Sequence, residues 1–512
     1  MEHGCTVNII NICGIFNMGI ESENSRLKKD IVIVGGGTAG LVAALMIQRS
    51  FPLSRVKLIK SSELGIIGVG EGVSYPFNDF LRYVGIDDKE IINNTDATIK
   101  TGILFKDWNY KGHMYIHSDD GSSPDYYNVR DLEMYRYKVV KNPNDSPFIL
   151  SNEFSRIYES HSLRIPSDLS NKYLFHFDTY KLNSYLLKKC EDRNIRIVDS
   201  TIESISQDGD GNITGVNTFD KENIKGDFFV DCSGFKRVLS SKLGSKYISC
   251  SDFLPMNQAI TFSTGIDNPN RIEPYTTTTA LSNGWTWKIP TQKKYGNGYV
   301  FSNQHTDSDN ALNELNNHLG TNVEKVAKDI KFNPGRVEKF WFKNCISVGL
   351  SGGFIEPLEA QSIGFSIMQI RCFVDTYYDW LNNNKISSLY NTQMVNSFDN
   401  ILSYVQLHYL NTREDTKFWK SKNFEITGFN KSTYSNFCKG EFDPSIFQYR
   451  YNLFDMKNFY QVYYGLNLLT KDSFDKTKNP IKFTTTPPIK IPSVDNNDDI
   501  MYHEEYLRLL KI

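Results

Sequence analysis

The sequence predicts an α/β protein built on a doubly wound, mostly parallel sheet, and three observations carry that reading. A strand–turn–helix–strand run lies between Asp30 and Ile59, with a glycine-rich turn at its centre. Short apolar runs without polar alternation recur at Phe228-Phe229-Val230-Asp231 and Ile346-Ser347-Val348-Gly349-Leu350, each followed by a Ser/Gly turn. Strands buried on both faces of a sheet read this way. Hydrophobic residues make up 40% and charged residues 23% of the 512, the balance of a globular chain long enough for two or three packed units.

Residues 1–27 read as a loose extension, because Asn and Glu interrupt their apolar residues. No basic segment precedes them, so no secretory signal is expected, and Met18 offers a second start. Order begins with the strand Ile31–Val34. Gly35-Gly36-Gly37-Thr38-Ala39-Gly40 follows, then a helix from Leu41 to Arg49, a break at Phe51-Pro52 and a second strand Val56–Ile59. Farther on, Ile195–Val198 and Ile202–Ile205 read as strands. Asp208-Gly209-Asp210-Gly211-Asn212 looks like a calcium loop, but Ile213 stands where that loop needs Gly and no Glu closes it, so a hairpin turn into Ile213–Val216 is predicted. Gln361 to Asn384 has helical periodicity. The last hundred residues, rich in Tyr, Phe and Asn, read as helices with long loops, broken by a proline stretch from Pro487 to Pro492.

Charge and composition exclude several classes. The formal net charge of −2 argues against a nucleic-acid partner, which needs a basic excess. No run approaches ~18 apolar residues, so no membrane span is expected. The eight cysteines are scattered without a CxxC pair, as in a reducing compartment, and a cytoplasmic location is expected. His113 and His117 are four apart with no third ligand, and no metal site is predicted. Aromatic residues reach 13%, enough to line a cavity as well as a core.

Gly35, Gly37 and Gly40 form a GxGxxG between strand and helix, which points to a bound dinucleotide. The first glycine allows the turn, the second lets a pyrophosphate approach, and the third lets the helix pack on the sheet. The acid expected at the end of the second strand to hold a ribose is replaced by Lys60. Either nearby Glu63 substitutes or the dinucleotide is held loosely.

Further blocks are Gly68-Val69-Gly70-Glu71-Gly72, Phe175-His176-Phe177-Asp178, Val230-Asp231-Cys232-Ser233-Gly234, Trp285-Thr286-Trp287-Lys288-Ile289-Pro290, Tyr299-Val300-Phe301-Ser302, Glu356-Pro357-Leu358-Glu359, Val405-Gln406-Leu407-His408-Tyr409 and Phe418-Trp419. With the glycine turn, they resemble the flavin-dependent halogenases of the tryptophan-halogenase type, in family order from about Lys29 to Leu469. The resemblance implies a glutathione-reductase-type FAD-binding fold: a Rossmann-like doubly wound sheet plus an antiparallel sheet. This FAD module is expected at 28–400, with an inserted substrate-region segment at 106–167 and a mainly helical substrate-covering region at 401–512.

The chemistry implied is oxidation of a halide by reduced FAD (FADH2) and O2 to a hypohalous acid, which travels along a tunnel to a lysine beside an aromatic substrate. The matching lysine is Lys100, whose ammonium can donate a hydrogen bond to the oxidant or whose amine can form a haloamine. The matching acid is Glu359, with Glu356 as its rival. The FAD contacts carried over are Gly35, Gly37, Thr38, Ala39, Gly40, Gly70, Glu71, Gly349 and Ile363. Trp285, Trp287 and Pro290 are expected in the tunnel wall, keeping an organic substrate away from the activated oxygen.

Two departures from the family pattern matter. Family members commonly read Ser-Thr-Gly after the glutamate. This chain has Ala360-Gln361-Ser362, so a halide site is expected on the backbone near Gln361 and Ser362, with bromide turned over at least as well as chloride. The segment Tyr449 to Tyr460, which clamps the amino acid in tryptophan-specific members, looks remodelled, with Phe454 near the position of a usual substrate-stacking Trp. An electron-rich ring such as an indole or phenol is therefore expected. No second GxGxxG occurs, so FADH2 should come from a separate flavin reductase. Homo-oligomerisation is left open, and an aromatic monooxygenase or a non-catalytic flavin-binding protein are the alternatives.

Overall fold

The computed structural model describes residues 28–118 apart from 67 and 69, 161–164, 174–468 apart from 321, 322, 324, 325, 383–385, 440–443 and 448, and 500–511. The predicted extension 1–27, most of the predicted insertion and the Pro487–Pro492 stretch lie outside these residues.

Six strands form the nucleotide-binding sheet in the order Trp341–Phe342, Cys345–Ser347, Phe228–Asp231, Asp30–Val34, Arg55–Lys60 and Arg196–Asp199. Apart from the Trp341–Phe342 hairpin, its pairings are parallel. The uninterrupted apolar run of the first strand is explained by two cores. Ile31 and Ile33 enter the main core with the helix Thr38–Ser50, whereas Val32 and Val34 enter a second core with Val216, Ile224 and Leu239. Successive side chains point to opposite faces, so a strand covered on both sides has no polar register.

A seven-stranded, mainly antiparallel sheet runs Lys328–Lys331, Gln258–Gly265, Lys294–Phe301, Gly284–Pro290, Thr276–Ala280, Gly102–Lys106 and Met114–Ser118. A small antiparallel sheet, Glu71–Gly72, Leu174–Phe177 and Thr98–Lys100, lies between the two in chain order. The helices Gln361–Asn382 and Ile386–Leu407 pack on each other, and the former packs on Thr38–Ser50. This is the predicted combination of doubly wound sheet, antiparallel sheet and helical region. No helix among the described residues is long and apolar enough to cross a membrane.

Two local expectations meet the structure differently. The 208–212 turn is a hairpin turn, since Ile202–Gln207 pairs antiparallel with Ile213–Thr218 and Asp208 accepts from the Asp210 and Asn212 amides. The strand predicted over 346–350 stops at Ser347. Gln369 takes the Gly349 N–H at 2.9 Å and donates to the Ser347 carbonyl, and Gly349, at φ 63°, turns the chain into a 3-10 helix.

Candidate functional site

The glycine turn has the geometry a dinucleotide needs. Gly35 has φ 126°, and a Cβ there would overlap the Cys232 carbonyl. A Cβ on Gly40 would overlap the Gly35 carbonyl, so helix and turn touch backbone to backbone. Nothing lies within 4 Å of a Cβ built on Gly37, leaving space for a phosphate to approach. Thr38 and Ala39 open the helix, whose N-terminus has no side-chain cap, a setting that favours an anion. Gly349 joins this group, because a Cβ there would come 2.8 Å from Ala39 Cβ. Ile363 is buried in the first turn of the Gln361–Asn382 helix, three residues before Ser366, which borders Gly349. Gly40→Ala is expected to weaken FAD binding at least about tenfold, read by flavin fluorescence titration, because the backbone cannot yield to a methyl group there.

The carboxylate beside Lys60 is Asp199, its register partner on the neighbouring strand, with Nζ 2.6 Å from Oδ2. Lys60 and Ser62 hold the Asp199 carboxyl down to about 2. A carboxylate thus lies beside Lys60 at the end of the second strand, supplied by the next strand.

From the glycine turn the small sheet leads to Lys100. Gly70 packs against Gly296, and Glu71 follows in the strand paired with Phe177. Burial pushes the Glu71 carboxyl up to about 7, with a Thr179 hydrogen bond working against it. A Cβ on Gly72 would meet Lys100 Cδ at 3.3 Å. Lys100 is 1% exposed, and its Nζ donates to the Val73 carbonyl at 2.9 Å. Its neighbour His176 contacts Thr98 and Thr276 through its two ring nitrogens, and burial, with Lys100 and His503 adding to it, holds this imidazole well below its ordinary pKa.

The chain continues from Lys100 into Gly102–Lys106, and Ile103 lies opposite His117 on Met114–Ser118. His117 Nδ1 is 2.5 Å from Glu359 Oε2, and His408 Nε2 is 3.0 Å from Oε1. Asn458 donates to His117 Nε2 at 2.8 Å, Tyr404 reaches Nδ1 at 3.2 Å, and Tyr115 meets His408 Nδ1 at 2.6 Å. Phe105 stacks on His408 with centroids 4.7 Å apart. Burial by itself would raise the Glu359 carboxyl. The two histidines overcome it and hold the group well below the usual carboxylate range. Glu359 and Ala360 both have left-handed backbones, at φ 70° and 52°, which costs an L-residue about 1–2 kcal/mol. These residues step to right-handed Gln361 at the helix start, and the Ala360 N–H is taken by the Pro357 carbonyl at 3.2 Å. The Gln361 side chain is occupied, donating to the Glu356 carbonyl at 2.9 Å.

Glu356 faces a different environment. Trp285 Nε1 and Tyr409 Oη both donate to its Oε1, at 3.2 and 2.5 Å. Burial pushes this carboxyl up to about 8. The folded state therefore keeps a proton that the unfolded chain releases above its ordinary value near 4.5, so this group's contribution to stability is lost as pH rises from there through 8. Glu356→Gln should reduce the fall in unfolding temperature between about pH 5 and 8, measured by thermal melts across that range.

Trp287 lies over Gly298, 5.9 Å from Trp285, and the Pro290 carbonyl at the end of their strand accepts from Thr98 in the Lys100 strand. Phe454 stacks on Tyr404 at 3.9 Å and is held by Asn400 through its own backbone N–H and carbonyl. Phe454 therefore sits beside the Glu359 network. Tyr409 also lines a cavity of about 70 Å³ with Met256, Phe418, Trp419 and Phe424, and neither Lys100 nor Glu359 borders it.

A family model described as tryptophan halogenase matches residues 30–479. The chain belongs to the tryptophan halogenase family. It is similar to tryptophan 6-halogenase SttH of Streptomyces toxytricini, at 30% identity over 472 residues, 86% of this chain and 88% of that protein. Tryptophan 7-halogenase RebH of Lentzea aerocolonigenes is 30% identical over 422 residues, 76% of this chain and 78% of that one. Among solved structures, the flavin-dependent halogenase Xcc4156 from Xanthomonas campestris superposes with a TM-score of 0.79 at 27% identity, covering 87% of this chain and 90% of that one. This halogenase-family protein is therefore a flavin-dependent enzyme, and the open backbone at Gly37 fits the flavin nucleotide that the family uses.

His117 and Tyr404 carry no signal of their own as site residues, whereas His408 and Asn458 lie inside the Val405–Tyr409 block and the Tyr449–Tyr460 segment without being singled out there. His117 and Glu359 are 242 residues apart, and no local pattern links a histidine on a strand to an acid at a helix start. No group of three metal-ligating side chains is found among the described residues.

Proposed function

We propose that this halogenase transfers an electrophilic halogen to an electron-rich, indole- or phenol-like ring held beside Lys100 and Glu359. Bound FADH2, delivered by a separate reductase, would supply with O2 the oxidising power that turns halide into hypohalous acid. The observation that supports the reading is a pair of buried groups: Lys100, whose Nζ donates to the Val73 carbonyl, and Glu359, held as a carboxylate by His408 and by His117 on the strand paired with the one that follows Lys100.

Lys100 steers the oxidant, either by donating a hydrogen bond to its oxygen or by carrying the halogen as a haloamine. In the hydrogen-bonding route the carbon–halogen bond forms as the halogen–oxygen bond breaks, the Lys100 ammonium gives the departing hydroxide the proton that makes it water, and the ring proton lost to Glu359 replaces the one Lys100 gave. In the haloamine route water leaves when the amine is halogenated, and the ring then takes the halogen from nitrogen, the amine regaining a proton as the ring loses its own to Glu359. A carboxylate held so acidic is a weak base, but a halogenated arenium ion is a far stronger acid, so the transfer runs downhill. The backbone amides of Gln361 and Ser362 are the proposed halide donors, favoured by the start of a 22-residue helix. Trp285 and Trp287 screen the oxidising end from the organic substrate, and Phe454 offers a face to its ring.

The test is full-length protein with a flavin reductase, FAD and bromide, given tryptophan, indole or phenol in turn. The expected product shows the bromine isotope doublet, and in direct competition bromide is incorporated at least as well as chloride. A hydroxylated product without halogen would make the protein a monooxygenase.

A further inference from the structure

We infer that the C-terminal segment belongs to the catalytic apparatus, with His503 a positioning residue that fixes the Lys100 strand by accepting a hydrogen bond from the Ile99 amide. The inference rests on the role proposed for Lys100 and extends it to a residue 404 positions away from Ile99 in the chain.

Thr98–Lys100 is the edge strand of the small sheet, with Ile99 in register with Phe175 on its one partner strand there. Backbone groups on an edge alternate between the partner strand and the open side. The Ile99 N–H faces the open side, and Ile99 is 2% exposed, so water cannot satisfy it. His503 Nε2 accepts that N–H at 3.1 Å, while His503 Nδ1 lies 3.0 Å from the Ile272 carbonyl. An acceptor at Nε2 and a donor at Nδ1 define one neutral tautomer, since a protonated ring would set an N–H against the Ile99 N–H. Burial, which pushes His503 down to about 4, agrees with a neutral ring.

The grip has two further points. Glu504 accepts from the Ile272 N–H, so adjacent tail residues hold both backbone groups of Ile272. Two residues on, the Pro274 carbonyl takes the Thr101 N–H at 2.8 Å and its hydroxyl at 2.7 Å. The backbones on both sides of Lys100 are thus fastened on the open edge, one to the tail and one to the loop that the tail holds. The tail is itself anchored, by Ile500–Tyr502 pairing with Ser162–Arg164 and by Tyr506, Leu507 and Leu510 entering the main core. A lysine that must meet a reactive oxidant in one orientation gains from a backbone that cannot rock.

Two substitutions separate positioning from simple tail anchorage. His503→Gln keeps an acceptor where Nε2 stood and loses the Nδ1 donor. His503→Asn keeps a donor where Nδ1 stood and loses the acceptor. With full-length protein, reductase, FAD, bromide and either tryptophan or indole, the readout is brominated product per flavin oxidised. His503→Gln is expected within about twofold of the unaltered protein, and His503→Asn about tenfold or more below it, with flavin oxidation unchanged in both. Hydrogen exchange at the Ile99 amide should accelerate in the Asn variant and not in the Gln variant. Equal product from His503→Asn, or equal loss from both variants, overturns the inference. If neither variant folds, exchange in the unaltered protein decides: an Ile99 amide as slow as those of Thr98 and Lys100 supports it, and exchange as fast as an exposed loop overturns it. Absence of brominated product from the unaltered protein defeats the role of Lys100 and this inference together. An active parent, an inactive Lys100→Ala and an unaffected His503→Asn would defeat this inference alone.

Discussion

Lys100→Ala is expected to lower halogenated product per flavin oxidised by about 10²–10⁴-fold, the range that a positioned proton donor contributes, while FAD binding and flavin oxidation continue. The separation follows from geometry. Lys100 belongs to the small sheet and reaches the Val73 carbonyl, whereas the open phosphate space lies at Gly37, at the start of another element. Removing a buried lysine also leaves a void and takes a donor from Val73, so a stability loss of about 1–3 kcal/mol accompanies it. Lys100→Met fills most of the space without an amine and separates the two effects. Both variants should release the oxidising equivalents as hydrogen peroxide, measured by a peroxide assay beside product mass. Halogenated product at the parental level from either variant removes Lys100 from the reaction.

Glu359→Gln is expected to cut turnover about 10²-fold and to lower the unfolding temperature. Gln copies the shape of the side chain but takes from His117 and His408 the charged acceptor they face, and losing a buried hydrogen bond to a charged group costs about 1–3 kcal/mol. The pH signature identifies the group. The folded-state value of Glu359 is depressed, so its contribution to stability is present above the ordinary carboxylate pKa and is lost as pH falls below it. The parent should therefore lose stability toward acid more steeply than Glu359→Gln. Glu356→Gln serves as the contrast, because that carboxyl already holds a proton near neutrality and donates or accepts much as an amide does. Turnover of Glu356→Gln is expected within a few-fold of the parent. The reverse order of the two variants would make Glu356 the working acid.

What could be read from the chain depended on distance along it. The three glycines were legible because each answers a demand made by residues a few positions away, and Gly35, Gly37 and Gly40 each meet the predicted demand in space. The buried strands were legible because burial on two faces removes the polar alternation that a half-exposed strand would show. The end of the 346–350 strand was not, since Gln369, 20 residues from Gly349, takes the amide that a longer strand would use. Lys60 looked like a missing acid because Asp199, its neighbour in the sheet, is 139 positions away.

The sequence by itself determined the class of fold, the glycine turn and the family, since these depend on local periodicity and on motifs with fixed spacing. Only the tertiary structure decided the ionisation of two glutamates three residues apart. Burial raises both carboxyls; two imidazoles overcome it at Glu359, whereas the hydrogen bonds from an indole and a phenol at Glu356 do not. The tertiary structure also decided that a histidine near the C-terminus secures the strand of Lys100, because backbone hydrogen bonding at a sheet edge is satisfied by whatever the fold brings there, at any separation in sequence.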